Sequence, residues 1–129
     1  IVYIMLAQRA ARGLASLYAH ANEFTMKEAR DFHVAWTPRG WMREDLDLLG
    51  FEQQLYLRQP GYGTSYVTGK YLIERLLAER SRQVELEGGQ YKLHDFFSEI
   101  DAVGVIPVSL IGWELTGDAG PIRTILAEP

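Results

Sequence analysis

The sequence predicts an all-α fold, and three observations support this class. Apolar side chains recur every three or four residues along most of the chain, as they do on the buried face of an amphipathic helix. No segment alternates strictly between apolar and polar residues, and no repeat of fixed length is visible. Glycine and proline residues divide the helical pattern into a bundle-like array of about five to six helices.

The first helix is predicted from about Val2 to about Ala21. Its apolar residues return at helical spacing and lie on one face: Leu6, Ala10, Leu14 and Leu17. The chain starts directly inside this pattern, without an initiator Met and without the basic segment and cleavage site of a signal peptide. We therefore expect the chain to be a C-terminal piece of a longer protein.

The second helix is predicted to begin after Thr25 and to end near Trp36. Thr25 and Glu28 have the spacing of a capping box, in which hydroxyl and carboxylate accept hydrogen bonds from free amides at a helix start. Pro38 disfavours helical geometry in the residue before it and so places the end of the helix nearby. A third helix is predicted over 43–57.

Three further helices are predicted in the rest of the chain. The longest starts after Pro60-Gly61 and runs to the charged segment 79–82. Shorter helices are predicted over 93–102 and from Pro107 to about 115, with proline at the first helical position. The segment 117–129 contains glycine and proline and is predicted to be an irregular tail. The 129 residues are expected to form a single helical domain or the C-terminal fragment of a larger helical fold.

Composition excludes several classes of function. The 13 basic and 17 acidic residues give a mildly negative chain, so no nucleic-acid partner is expected. The basic residues do not cluster on one predicted helix, which disfavours a helix-turn-helix regulator. The absence of cysteine excludes disulfides, thiolate metal ligands and a thiol nucleophile. No apolar run approaches the length of a membrane span, so a soluble protein is expected.

The segment from Pro60 to Lys70 superficially resembles a phosphate-binding loop, because glycines precede a helix and a lysine follows. Gly63 and Gly69 are one residue too far apart for that motif. Tyr71 stands where a serine or threonine would hold magnesium. We therefore interpret this segment as the entry turn of a helix.

The three histidines, His20, His33 and His94, do not form a metal-binding motif. They are far apart, and none belongs to a His-x-x-x-His or His-Glu-x-x-His pair. Each is interpreted as a surface or helix-end residue. The tyrosines, including Tyr62 and Tyr66, are interpreted from the pattern alone as core or interface rings with a polar end.

An ordered series of short motifs spans most of the chain. Its first part comprises Arg9-Ala10-Ala11-Arg12, His20, Thr25, Glu28-Ala29, Glu52 and Tyr56. Its second part comprises Pro60-Gly61, Ser65-Tyr66, Gly69, Leu93, Phe96, Gly104 and Pro107. In order and spacing this series resembles the bacterial domain-of-unknown-function family 885, whose full-length members are similar to zinc metallopeptidases and carry an HExxH motif upstream.

The chain departs from the pattern of this family at several positions. Ser16-Leu17-Tyr18 stands where the family has Asp-Thr-Gly, and Leu55 stands where it has Arg. Tyr62 replaces a Gln, and Phe97 replaces a His. These changes put bulky or apolar groups in place of polar ones. They indicate a divergent subgroup or a protein that has lost the activity of the family.

The resemblance implies that the catalytic groups are divided between this chain and an upstream part of a longer protein. In such peptidases zinc polarises the scissile carbonyl and its water, and the glutamate of HExxH acts as base. These groups would lie upstream, so this chain is expected to hold no metal ligand or cofactor, and zinc is expected in the full-length parent. The partners of the chain would be the upstream part of the same protein and a peptide substrate, in the bacterial cytoplasm or in an exported protein.

The resemblance also points to two catalytic residues, Tyr66 and, less directly, His20. A tyrosine hydroxyl stays protonated at neutral pH and can donate to a developing oxyanion. On this hypothesis the chain forms one wall of a peptidase cleft, and its inner face is apolar and incomplete. The alternative is a non-catalytic helical binding or scaffold module, in which Tyr62, Tyr66 and Ile73 form core.

Overall fold

The computed structural model describes residues 1–127, and this part of the chain contains seven α-helices and no β-strand. The predicted all-α class is confirmed. The helices are α1 (Val2–His20), α2 (Met26–Trp36), α3 (Asp47–Arg58), α4 (Tyr62–Leu86), α5 (Leu93–Val103), α6 (Val108–Thr116) and α7 (Gly120–Ala127). A short 3₁₀ helix, Pro38–Gly40, lies between α2 and α3.

The predicted capping box at the start of α2 is confirmed. The Glu28 amide donates to Oγ1 of Thr25 at 3.2 Å, and the Thr25 amide donates to Oε2 of Glu28 at 2.7 Å. The hydrogen bonds from Thr25 lower the pKa of Glu28. Both ends of the turn are therefore satisfied by side chains that the sequence identifies.

The third helix begins later than predicted, at Asp47 rather than at Arg43. Arg43 forms a local ion pair with Asp45, in which Nε donates to Oδ1 at 3.0 Å and Nη2 donates to Oδ2 at 3.1 Å. Leu46 has extended backbone angles at the N-cap. The residues between Arg43 and Leu46 are thus used in a turn that leads into the helix.

The prediction of an irregular tail over 117–129 is wrong for the described residues, because α7 spans Gly120–Ala127. Oδ1 of Asp118 accepts a hydrogen bond from the Gly120 amide at 2.8 Å, which satisfies a free donor at the helix start. Pro121 lies in the first turn, where its missing amide proton removes no helical bond. Residues 128 and 129 lie outside the described residues.

The chain falls into two compact units. The sequence alone favours a single helical domain or a C-terminal fragment of a larger fold. The first unit comprises Ile1–Thr68 and the second begins at Gly69, so the boundary lies within α4. In the first unit α1, α2 and α3 pack together, and the most deeply buried large side chains are Met42, Leu49 and His33.

The second unit has its own apolar core, formed by Leu76, Phe96 and Ile111. A two-pronged ion pair joins its helices α4 and α5. Nε and Nη2 of Arg80 donate to the two carboxylate oxygens of Glu99 at 3.0 and 2.9 Å. This bond is the main cause of a lowered pKa for Glu99 and a raised pKa for Arg80.

Within residues 1–127 no single helix has the length and hydropathy needed to cross a membrane. Helices α5 and α6 pass that test only when taken together, and they are bent by 114° at the break between them.

Candidate functional site

Tyr66 lies in the second turn of α4, where two arginines of α1 reach its ring. Cζ of Arg9 is 4.9 Å and Cζ of Arg12 is 5.1 Å from the ring centroid. The two arginines are one helical turn apart, so both face the same neighbour. Gly13 and Gly63, which carry no side chains, allow the helices to approach. Two guanidinium groups thus hold one aromatic ring by cation–π contacts.

The Tyr66 side chain is a surface group rather than a core group. It is 37% exposed, and Tyr62, one turn earlier, is 38% exposed. These two tyrosines were interpreted as core or interface rings, and the core part of that interpretation is therefore wrong. Ile73, the third residue of that interpretation, does pack against the core of the second unit.

The hydroxyl oxygens of Tyr62 and Tyr66 lie 3.2 Å apart, so one hydroxyl donates to the other. This bond is the first cause of a lowered pKa for Tyr66, and the charges of Arg12 and Arg9 act in the same direction. The same bond raises the pKa of Tyr62. Either hydroxyl can be the donor of this bond. When Tyr62 donates, the hydroxyl proton of Tyr66 can point toward a ligand.

A buried tyrosine, Tyr56 of α3, packs against the pair formed by Tyr62 and Tyr66. Its ring stacks on that of Tyr62 with centroids 5.4 Å apart, and Cζ of Arg12 lies 4.7 Å from its own centroid. Burial raises the pKa of Tyr56 to about 12, so its phenol is neutral at neutral pH. The ring of Tyr56 therefore orients Tyr62 and Arg12 without adding charge.

Arg12 also takes part in a buried ion pair. It is 6% exposed, and its Nη1 donates to Oε1 of Glu52 in α3 at 2.7 Å. Nε and Nη2 of Arg12 and Oε2 of Glu52 are buried and have no hydrogen-bond partner within residues 1–127. A buried pair in which further donors and acceptors remain free is a costly arrangement.

Both residues line a small cavity of about 20 Å³. The cavity lies between α1, α2 and α3, and its other polar walls are Ser16, His33 and Gln53. The small side chains of Ala15 and Ala29 leave this space open. The residues that bound it belong to the first unit.

His33 lies in the last turn of α2, as a helix-end residue does, but it is not at the surface. It is 1% exposed, and its Nε2 is buried without a partner in the described chain. Burial, followed by the positive charge of Arg12, lowers the pKa of His33 to about 4. The ring is therefore neutral at neutral pH. The sequence carries one signal for this position, because His33 follows Ala29 at the spacing of one helical face.

His20, the second residue to which the resemblance points, lies at the C-terminal end of α1. Its Nδ1 is 2.7 Å from the backbone oxygen of Ser16, and its Nε2 is buried without a partner among residues 1–127. At 1.5 Å per residue, His20 is roughly 12 Å along the helix axis from Arg12. No hydrogen bond or ring contact in the described structure joins it to Tyr66. The structure therefore does not bring the two residues into one cluster.

The described residues contain no group of three or more histidine, aspartate or glutamate side chains that could hold a metal ion. The side chains around Tyr66 also do not fit zinc, because guanidinium groups and phenols dominate them. A zinc ion beside Tyr66 would therefore need ligands from outside this cluster.

Comparison with protein-family models, with curated proteins and with solved structures finds no match for this chain. The interpretation of the site therefore depends on its own residues.

Proposed function

We propose that this chain forms one wall of the substrate cleft of a zinc-peptidase-like protein. In this proposal the zinc ligands and the catalytic base belong to an upstream part of the same protein. The chain supplies a hydrogen-bond donor, the hydroxyl of Tyr66, to the carbonyl oxygen of a peptide substrate as negative charge develops on it. Members of the domain-of-unknown-function family 885, which the sequence resembles, are similar to zinc metallopeptidases, and Tyr66 would be a hydrogen-bond donor in such a protein.

The observation that carries the proposal is the setting of the Tyr66 hydroxyl. The Tyr66 side chain is partly exposed, its hydroxyl is paired with that of Tyr62, and its ring lies beside Arg9 and Arg12. A phenol with a lowered pKa is a stronger hydrogen-bond donor, and two nearby cations favour negative charge on a bound group. A ring held by two guanidinium groups also loses little freedom when its hydroxyl binds substrate.

His20 is not assigned a part in this donor group, because its Nδ1 already lies within hydrogen-bond distance of a backbone oxygen. Its participation in catalysis remains a prediction of the resemblance. A His20→Gln variant of the full-length protein would test it by the same turnover measurement that is used for Tyr66.

The test for Tyr66 is a Tyr66→Phe substitution in the full-length protein, which keeps the ring and removes the donor. With a fluorogenic peptide substrate, kcat should fall by about a hundredfold or more, because one oxyanion donor contributes roughly 2.7–4 kcal/mol in the transition state. The thermal unfolding midpoint should hardly change. The matched control is Tyr71→Phe on the same helix, whose ring is 58% exposed and whose loss of a hydroxyl should leave kcat unaltered.

Unchanged turnover of Tyr66→Phe in an active parent would remove Tyr66 from the mechanism. An equal loss of activity in Tyr71→Phe would show that the assay responds to the surface of α4 and not to the proposed donor.

A second candidate function is a non-catalytic helical binding module. It is favoured by large apolar side chains that stand exposed in the first unit, among them Leu17 at 52%, Trp36 at 66% and Phe51 at 64%. Exposed apolar side chains mark an interaction site where they form one continuous patch. Under this alternative the full-length protein binds peptides without cleaving them. Trp36→Ser should then weaken peptide binding, whereas Tyr66→Phe should have no effect on it.

A further inference from the structure

Arg9 carries a positive charge that no acidic group of residues 1–127 balances. The ion pairs among these residues leave it out, whereas Arg12 is paired with Glu52 at 2.7 Å. This is so although the chain has 17 acidic residues for 13 basic ones. The surface around Tyr66 therefore keeps one uncompensated positive charge, that of Arg9.

The N–H groups of Arg9 are unused and reach solvent. Within residues 1–127 Arg9 donates no hydrogen bond, and its nitrogen atoms are not among the buried polar atoms that lack a partner. The side chain is nevertheless held in place, because its Cζ lies 4.9 Å from the centroid of the Tyr66 ring. A ligand can therefore accept hydrogen bonds from an arginine that is already oriented.

The charge and the shape of this group favour a carboxylate. A guanidinium group offers parallel N–H donors that match the two oxygens of a carboxylate. One carboxylate also balances the single free charge of Arg9. A phosphate monoester brings a charge of about −1.5 to −2 at pH 7 and would leave negative charge in excess.

The Tyr66 ring connects Arg9 with the proposed hydrogen-bond donor. The guanidinium of Arg9 lies over this ring, and the hydroxyl of Tyr66 is attached to its edge. An extended peptide spans about 3.3–3.6 Å per residue. A carboxylate on Arg9 and a carbonyl oxygen at the Tyr66 hydroxyl therefore fit positions about one or two residues apart in one peptide.

We propose that this surface binds the C-terminal end of a peptide, with the terminal carboxylate on Arg9 and the scissile carbonyl oxygen at the hydroxyl of Tyr66. The inference rests on the proposed function for the reaction and adds the substrate class, peptides with a free C-terminus. Hydrolysis adds the hydroxyl of water to the carbonyl carbon and a proton to the departing nitrogen. The products are a shortened peptide and a free amino acid or dipeptide.

The first experiment measures binding by the chain itself and requires no cleavage. Acetyl-alanyl-alanine with a free carboxylate and the same compound with a terminal carboxamide are titrated into the ¹⁵N-labelled chain at pH 7 and constant ionic strength. The free acid should shift the backbone amide signals around Arg9 and Tyr66 saturably, with a Kd on the order of 1–10 mM. The carboxamide should bind at least about tenfold more weakly, because it forms no ion pair with Arg9.

Substitutions at Arg9 test which group selects the free acid. Arg9→Gln should remove the preference for the acid over the carboxamide. Arg9→Lys keeps the charge but not the parallel donors, so it should retain part of the preference while it preserves the fold. The matched control is Arg82→Gln in the second unit, at an exposed position that forms no ion pair within residues 1–127, and it should keep the full preference.

The second experiment separates this inference from the proposed function by the kinetics of the full-length protein. The KM for the free acid should be at least about tenfold lower than that for the carboxamide, and Arg9→Gln should chiefly raise the KM for the acid, as the loss of ground-state binding does. Tyr66→Phe should instead lower kcat for both substrates.

Two outcomes would overturn the inference. One is equal binding of the free acid and the carboxamide by the folded chain. The other is equally tight binding of a carboxamide peptide with an internal glutamate, because Arg9 would then accept any carboxylate. A retained preference for the free acid, together with an unchanged kcat in Tyr66→Phe, would remove the proposed function and support Arg9 as a binding group for a peptide C-terminus.

Discussion

Gly13 in α1 and Gly63 at the start of α4 pack backbone against backbone. A Cβ atom on Gly13 would lie 2.8 Å from the carbonyl oxygen of Gly63, and a Cβ atom on Gly63 would lie 2.8 Å from Cβ of Ser16. Both distances are shorter than real Cβ atoms tolerate. The absence of side chains at these two positions therefore sets how closely α1 approaches α4, and with it the contact of Arg12 with Tyr66.

Gly13→Ala should destabilise the chain. Alanine favours a helix over glycine by about 1 kcal/mol, but here its methyl group meets a backbone carbonyl that cannot rotate away. We expect a net loss of about 1–3 kcal/mol in the free energy of unfolding, measured by urea denaturation. Gly50→Ala is the control, because nothing lies within 4 Å of its new Cβ and the helix should gain up to about 1 kcal/mol. A Gly13→Ala chain as stable as the unmodified one would contradict the close packing.

Helix positions could be predicted from the sequence wherever local chemistry sets them. The start of α2 follows from Thr25 and Glu28, which satisfy each other's amides within four residues. The start of α7 was not predicted, although the hydrogen bond that caps it also joins residues close in sequence. Asp118 is the acceptor, but glycine and proline on both sides of it favour an irregular segment as strongly as a capped helix.

The candidate site could be predicted only in part. The resemblance pointed to Tyr66, but the arginines on its ring come from α1, and no periodicity relates them to α4. The cavity was missed because Arg12, His33 and Glu52 lie on three different helices. Charged residues are expected at the surface unless a partner from elsewhere in the chain is known. Such pairing is a property of the tertiary packing.

His33 should make stability depend on pH. The pKa of His33 is about 4 in the folded chain, whereas a histidine without such interactions, as in the unfolded chain, has a pKa of 6.5. Between pH 4 and pH 6.5 the unfolded chain therefore binds more protons than the folded chain. The free energy of unfolding should therefore rise from pH 4 to pH 6.5, by roughly 3 kcal/mol from this residue at most, and then level off. Urea denaturation at several pH values measures this slope.

The control for this prediction separates His33 from other titrating groups. His33→Gln should reduce the slope between pH 4 and pH 6.5, whereas His94→Gln should preserve it, because the His94 side chain is 89% exposed. An unchanged slope in His33→Gln would mean that His33 is protonated as easily in the folded chain as in the unfolded chain.

The buried ion pair of Arg12 and Glu52 should respond differently from a surface pair. Arg12→Met leaves the Glu52 carboxylate buried without a partner, so the free energy of unfolding should fall by about 3–5 kcal/mol. The double variant Arg12→Met with Glu52→Leu should recover much of this loss. Lys27→Met, which breaks the exposed pair with Asp31, should have no measurable effect. A double variant as unstable as Arg12→Met would mean that the loss comes from packing and not from the unpaired charge.

Asp118 should determine whether α7 forms. Its Oδ1 accepts from the Gly120 amide at 2.8 Å, and its own amide donates to Oγ1 of Thr116 at 3.2 Å. Asp118→Ala removes only the first bond and should cost about 1 kcal/mol of helix stability, as the loss of an N-terminal cap does. Because α7 is short, this loss should abolish most of the amide protection over 120–127 in hydrogen exchange. Asp101→Ala, at an exposed position of α5, should leave that protection intact. Equal protection of α7 in both variants would mean that packing of the helix, rather than its cap, holds it in place.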